Sequence, residues 1–336
     1  MRKIIIAIIA LLTIAFVFFS LAELQNIVSV LRTSKFVFLL LAILVEIICQ
    51  FNTAATFEAI YTLVGLTEKH SRMILMTTAV NFVSMVAPSG GFGGIAIMVD
   101  EARQKNISAG RVMVVGALYL IYEYASLLLI LVLGFIILIQ RESLNKGEVI
   151  AAGLLLALAL TIGAILILAY RSSEQLGKLL AKLSGLVNRM LRPFLQRDVL
   201  NIEKAYHFSN EMAEGIATMR KEGKRLVRPF LYTLNNKALL IIVLACSFLA
   251  LDTPFTIGTI VGGFSISYLF FYISPTPSGV GFVEGIFPSA LNTLGVPITQ
   301  AVLITLVFRA VTLWFPFAVG AVTFRILQNQ PKATTN

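Results

Sequence analysis

Charge is scarce in this chain, and the side chains that usually carry chemistry are scarcer. Only 13% of the 336 residues are Asp, Glu, Lys or Arg, and there are two histidines, two cysteines and one tryptophan. Since 58% are hydrophobic, no stretch of ordinary soluble-domain composition is left over, and the chain reads as an all-α polytopic membrane protein. Cys49 and Cys246 lie inside apolar runs, so they outline no disulfide framework and no metal spacing. His70 and His207 are isolated, and no Ser/His/Asp, Cys/His or paired metal-ligand spacing occurs. The Gly-rich run Pro88–Gly94 lacks the Gly-Lys-Ser/Thr of a phosphate-cradling loop. The expectation is a protein that is not an enzyme and uses neither metal nor cofactor. A transferase acting on lipid headgroups inside the membrane is disfavoured for want of a nucleophile and base at useful spacing.

Lys and Arg outnumber Asp and Glu by 27 to 17, a net charge of +10. In a soluble chain that excess points to nucleic acid. Here much of it sits in one loop, so a membrane surface is the expected partner and nucleic acid is not.

What is present is organised around Tyr272–Gly285. No charge falls between Thr253 and Val283, yet Pro275, Pro277, Gly279 and Gly281 interrupt the run. Proline removes backbone donors and glycine weakens a helix, so no helix runs unbroken through it. Backbone freed at membrane depth must find partners inside protein or in a wet cavity, which predicts a broken or re-entrant segment. A plainer copy lies upstream, where uncharged Met73–Val99 is interrupted by Pro88-Ser89-Gly90-Gly91.

Around these breaks the chain gives six full spans. Met1-Arg2-Lys3 precedes nineteen uncharged residues, Ile4–Ala22, longer than the roughly 7–15 of a signal-peptide core and therefore read as a first helix. A second span runs from Phe36 to about Tyr61. Within it Glu46 and Gln50 share a helical face that looks inward, whereas Asn52 and Glu58 read equally well as interfacial. Val112–Gln140 carries the single charge Glu123, and Val149–Tyr170 is uninterrupted. From Arg171 to Arg228, twelve basic residues face six acidic ones. Leu176, Leu179, Leu180, Leu183, Leu186, Val187, Met190 and Leu191 recur there at helical spacing, the pattern of a basic amphipathic helix on a membrane surface. Pro229–Leu251, with Asn235, Asn236 and Lys237, and Ile298–Phe324, with Arg309, complete the set.

The basic loop, about 171–228, is expected to be cytoplasmic, which puts both termini on the same side. Ser89 and Ser278 stand 189 positions apart. The same shift carries span, break and span over about 36–140 onto about 225–327. One crossing separates the two units, so they are expected to be related by inverted topology within a single domain spanning 1–336, with both breaks reaching toward a central site.

Pro275-Thr276-Pro277-Ser278-Gly279-Val280-Gly281-Phe282-Val283-Glu284-Gly285, then Gly295-Val296 and Arg309, resembles the second signature of the lysylphosphatidylglycerol synthase transmembrane family. That signature runs roughly Pro-x-Pro-Gly-Gly-x-Gly-x-x-Glu-Gly, then Gly-Val or Gly-Ile, with an arginine in the last helix. Pro88-Ser89-Gly90-Gly91 and Ile107-Ser108 resemble its first signature. The similarity covers essentially the whole chain. It implies a flippase-like domain, which in two-domain members moves aminoacylated phosphatidylglycerol to the outer leaflet of the cell membrane; this chain is similar to stand-alone members without the synthase domain. Where the family often has Glu-Arg-x-x-Asp, this chain reads Tyr119-Leu120-Ile121-Tyr122-Glu123, keeping an acid but no arginine.

The expected function is therefore movement of a phospholipid, anionic or aminoacylated, between leaflets by a chain that could also self-associate. The alternative is a non-transporting scaffold that docks a partner through the basic loop. Arg309 is either a bidentate phosphate ligand or a structural partner of Glu123 or Glu284. Glu284 is either the cap of a half-helix starting about Val280 or a proton carrier or headgroup partner, and Glu123 invites the same pair of readings. Pro88, Ser89, Gly90, Gly91, Pro277, Ser278, Gly279 and Gly281 either expose backbone donors to an anion or pack helices closely, Gly281 and Gly285 standing four apart. Tyr119, Tyr122, Tyr124, Tyr268, Tyr272 and Trp314 are read as packing or interfacial residues.

Overall fold

The computed structural model describes residues 27, 30–32, 34–86, 92–104, 107–142, 144, 146–195, 202–274 and 276–328. The expected first span Ile4–Ala22, the first break Pro88-Ser89-Gly90-Gly91 and Pro275 lie outside them. All regular structure among the described residues is helical. The helices are α1 (Phe36–Leu63), α2 (His70–Val86), α3 (Phe92–Gln104), α4 (Ala109–Gln140), α5 (Lys146–Arg171) and α6 (Ser173–Leu195). They continue with α7 (Ile202–Lys221), α8 (Val227–Ala250), α9 (Ile257–Ile273), α10 (Phe282–Thr293), α11 (Ile298–Arg309) and α12 (Phe315–Gln328).

Five stretches are long and apolar enough to cross a bilayer: Phe36–Leu63, Ala109–Gln140, Lys146–Arg171, Gly223–Ala250 and Ile298–Leu327. This is a multi-pass membrane protein. On α1, Phe36, Leu40, Leu44, Ile47 and Phe51 form one exposed stripe, a face suited to hydrocarbon. The opposite stripe, with Ala42, Val45, Glu46, Cys49 and Thr53, is buried.

The central pair is α1 with α8. The Lys35 N–H donates to Ala250 O at 2.8 Å. Lys35 Nζ also reaches Asp252 at 2.7 Å. Further along, Asn52 Nδ2 donates to Tyr232 O at 2.7 Å and Asn235 Nδ2 to Asn52 Oδ1 at 3.1 Å. Residue 35 beside 250 and 52 beside 232 make the two helices antiparallel. Both end in a reversal. Leu66 N–H reaches back to Tyr61 O beyond Gly65, whose φ is +74°, and Thr253 N–H reaches back to Phe248 O beyond Asp252, at φ +54°.

Two further contacts join helices distant in the sequence. In one, α4 of the first half lies on α9 of the second, where Gly134 leaves room for Ser265 and the Ser265 hydroxyl donates to Ile130 O at 3.2 Å. In the other, α12 of the second half lies on α2 of the first. There Gly320 faces Phe82, whose ring meets Phe317 and Phe324 at 5.1 and 5.6 Å.

The basic stretch departs from its expected form. It folds back on itself as the pair α6–α7, with Gly177 against Tyr206. Leu176 is fully buried and Leu180 packs on the main core, so the start of the apolar stripe covers protein, while Leu179 and Leu183 remain exposed. The acidic residues explain the docking. Glu211 on α7 accepts from the Gly110 N–H at 2.7 Å, and Glu214 pairs with Arg111 at 3.0 Å. Both meet the N-terminal turn of α4, where an anion suits the helix dipole.

Candidate functional site

The second break begins where α9 stops at Ile273. Pro277, Ser278 and Gly279 form a single 3₁₀ turn, and the next helix starts at Phe282 rather than near Val280. Ser278, Gly279 and Gly281 all have positive φ, 50°, 69° and 79°, the region where glycine is favoured and a side chain costs energy. The turn reaches the first half, because the Ser278 hydroxyl donates to Met85 O at 3.0 Å on the last turn of α2. The second break thus sits against the helix that leads into the first.

Arg309 ties this turn together. Its Nε bonds the Glu284 carboxylate, and its Nη2 donates to Ser278 O at 3.0 Å. The other Glu284 oxygen accepts the Gly281 N–H at 2.7 Å. Of the alternatives for Glu284, the capping geometry is therefore formed. The expected open donor at Gly281 is already filled by the chain's own carboxylate, which corrects the picture of a half-helix N-terminus left free there. Of Arg309's two candidate partners, Glu284 is engaged by hydrogen bond; Glu123 goes elsewhere.

Glu123 bonds Lys237 of α8, at 3% and 1% side-chain exposure. Tyr272 OH donates to the same Glu123 oxygen at 2.6 Å, and Lys237 Nζ lies 5.5 Å from the ring centroids of both Tyr268 and Tyr272. Tyr272 is thus a hydrogen-bonding member of the site in addition to its packing role. Sequence reasoning recorded Lys237 in its span but did not pair it. A signal was available, since Lys237 is the single charge of Pro229–Leu251 and Glu123 that of Val112–Gln140, and a mid-membrane charge needs a partner.

Glu123, Lys237 and Arg309 border one cavity of about 140 Å³, whose wall also includes Glu46 and Ser278. Glu284 and Gly281 stand behind Arg309 and are not on that wall, and Pro277 and Gly279 shape the turn that presents Ser278. Glu46 faces inward as expected. Gln50 Nε2 donates to Glu46 Oε1 at 2.6 Å, and Asn81 Nδ2 of α2 donates to Gln50 Oε1 at 3.1 Å. A second cavity, of about 150 Å³, shares Asn81, Met85, Tyr119, Phe271, Tyr272 and Ser278 with the first. Its remaining wall carries no charge and sets Phe57, Val80, Ile95 and Leu120 beside the hydroxyls of Ser84, Ser274 and Thr276. A charged chamber thus abuts an apolar one, and the shared wall includes the second break.

The last span adds a feature that the sequence reading did not contain. Directly after Arg309, Ala310–Trp314 widens into a π turn. Pro316 has no N–H for the Thr312 carbonyl and its ring crowds that oxygen, a recognised cause of a local widening. Such turns recur at functional sites, and Thr312 and Leu313 lie on the cavity wall.

A comparison of the chain with curated proteins finds no match. Residues 4–320 match the family described as the lysylphosphatidylglycerol synthase TM region, and the chain belongs to that family of membrane proteins concerned with lipids.

Proposed function

We propose that this protein moves a phospholipid, with an anionic phosphate in its headgroup, from one leaflet to the other without making or breaking covalent bonds. The observation that carries the reading is the pairing of the two cavities. An amphipathic lipid needs a polar place for its headgroup and an adjoining apolar place for its tails, and the charged chamber beside the apolar one offers that combination. In this reading Arg309 and Lys237 receive the phosphate, and Glu284 and Glu123 hold the two cations when no lipid is there. The guanidinium matches phosphate oxygens in a fork that an ammonium cannot form.

The helix order supports alternating access. Each half runs span, half-helix, half-helix, span, the two first spans are antiparallel, and each half's last helix lies on the other's first half-helix. Reciprocal contacts of that kind are what a two-fold axis in the membrane plane generates. The α6–α7 pair lies on the cytoplasmic side in this arrangement, by its excess of Lys and Arg.

The test uses purified protein in vesicles containing headgroup-labelled phosphatidylglycerol or its lysylated form, with an impermeant quencher reading the outer leaflet. Wild type is expected to expose inner-leaflet label at least about tenfold faster than Arg309→Ala, the effect of losing about 1.4 kcal/mol of transition-state binding. No movement of either lipid, with Arg309→Ala indistinguishable from wild type, sinks the proposal and leaves the scaffold reading.

A further inference from the structure

The charges of the central site do not balance. Glu46, Glu123 and Glu284 are three acids, Lys237 and Arg309 two bases, so three negative charges against two positive leave one carboxylate in excess. The excess can be assigned to one residue. Glu123 and Glu284 each hold a cation. Glu46 is 3% exposed, borders the charged chamber, and its Oε2 has no hydrogen-bond partner among the described residues.

Neighbours fix which oxygen is free. Asn81 donates to Gln50 and Gln50 donates to Glu46 Oε1, so the amide chain ends on that oxygen and leaves Oε2 bare. An ionised Glu46 would carry an uncompensated buried charge, whereas a neutral one places a hydrogen on Oε2.

The groups around it set what this does. From α1 itself comes Cys49; α8 contributes Lys237, and α4 contributes Glu123 and Tyr119. Tyr268 and Tyr272 of α9 and Arg309 of α11 complete the titratable wall, while α2 presents the neutral Asn81 and Met85. Among the described residues both cations are already committed to other acids, so a proton on Glu46 neutralises the site.

We propose that Glu46 is the proton-binding site of a transport cycle in which the lipid phosphate enters when Glu46 is protonated. The inference rests on the lipid-moving reading and adds its energy source. A hydronium ion on one aqueous side gives its proton to Oε2, forming an O–H bond and leaving water. The neutral site then admits the anion, and the proton returns to water on the other side. Deprotonated, the site has an excess negative charge that opposes a phosphate.

Two measurements separate the proton site from the transport reading. In an infrared pH titration of the purified protein, wild type should show a protonated-carboxyl C=O band that appears reversibly with acidification and is missing in Glu46→Gln. In vesicles holding labelled phosphatidylglycerol, acidifying the compartment that faces the labelled leaflet should speed transfer several-fold in wild type, and the gradient should have no effect on Glu46→Gln. A band unchanged by Glu46→Gln overturns the proton site. A titrating band with lipid movement indifferent to the gradient overturns the coupling. A titrating band with no lipid movement at all removes the transport reading, and coupling with it, while leaving the proton site standing. A rate that follows a sodium gradient and ignores pH assigns the carboxylate to a metal cation and overturns the proposal.

Discussion

Two ion pairs meet the same chamber, one through both partners and the other through Arg309 alone, and they are built on different principles. Arg309 and Glu284 are 25 residues apart, on either side of one loop, and their shared job is local: the guanidinium holds the Ser278 carbonyl and the Glu284 carboxylate, and Glu284 holds the Gly281 N–H. Lys237 and Glu123 are 114 residues apart and join the two halves of the chain. The first pair is also wetter, with Glu284 at 17% exposure against 3% for Glu123. A pair that shapes one turn can be opened without parting helices, whereas a pair that rivets two spans cannot. This difference makes Arg309 the better candidate for exchanging its carboxylate for a lipid phosphate in each cycle, with Lys237 the more static of the two.

Removing one partner of the dry pair should have the largest effect. Lys237→Ala or Glu123→Ala leaves a buried charge without its ionic partner and is expected to cost about 3–5 kcal/mol of stability. Glu123→Leu combined with Lys237→Met should recover most of that, because a shape-matched apolar replacement is often neutral. Thermal unfolding in detergent of the two single variants and the double variant measures it. Additive losses in the double variant would show that the pair is not a coupled unit.

Next in size is the wetter pair. Glu284→Gln keeps an acceptor for the Gly281 N–H but removes the charge facing Arg309, and a loss of about 2 kcal/mol is expected. The effect on lipid movement should exceed the effect on unfolding, the reverse of the order for Lys237. Equal ranking of the two pairs in both assays would erase the distinction between a working pair and a riveting one.

What was readable in the sequence follows the same divide. The break, Arg309, Glu284 and the inward face bearing Glu46 and Gln50 were all legible, because each rests on local spacing: prolines and glycines close together, or residues four apart on one helix. The Lys237–Glu123 pair, the Ser278–Met85 contact and the α6–α7 docking depend on which distant helices become neighbours, and helical periodicity has no information on that. Glu211 and Glu214 are, in the sequence, two of the six acids counted against twelve bases in the loop. Their use, receiving Gly110 and Arg111, appears only once α7 is laid on the start of α4. The π turn after Arg309 had its cause in plain view at Pro316, but its position beside the chamber did not follow from the chain alone.

The smallest effects should come from the glycines of the break, and they separate packing from backbone strain. Gly281 has φ +79° and ψ −33°, outside the left-handed helical well, with no described atom within 4 Å of where a Cβ would sit, so Gly281→Ala should cost backbone strain alone, about 1–2 kcal/mol. Gly279 has φ +69°, and its Cβ would lie 2.6 Å from Val283 Cγ2, so Gly279→Ala adds a collision and should cost about 2 kcal/mol. Relief of that collision pushes on Ser278, whose carbonyl holds Arg309. Gly279→Ala should therefore slow lipid movement more than its stability loss accounts for, while Gly281→Ala should not. If both alanines slowed movement in proportion to unfolding, the turn would be a passive hinge, and the link from break to guanidinium would have to be given up.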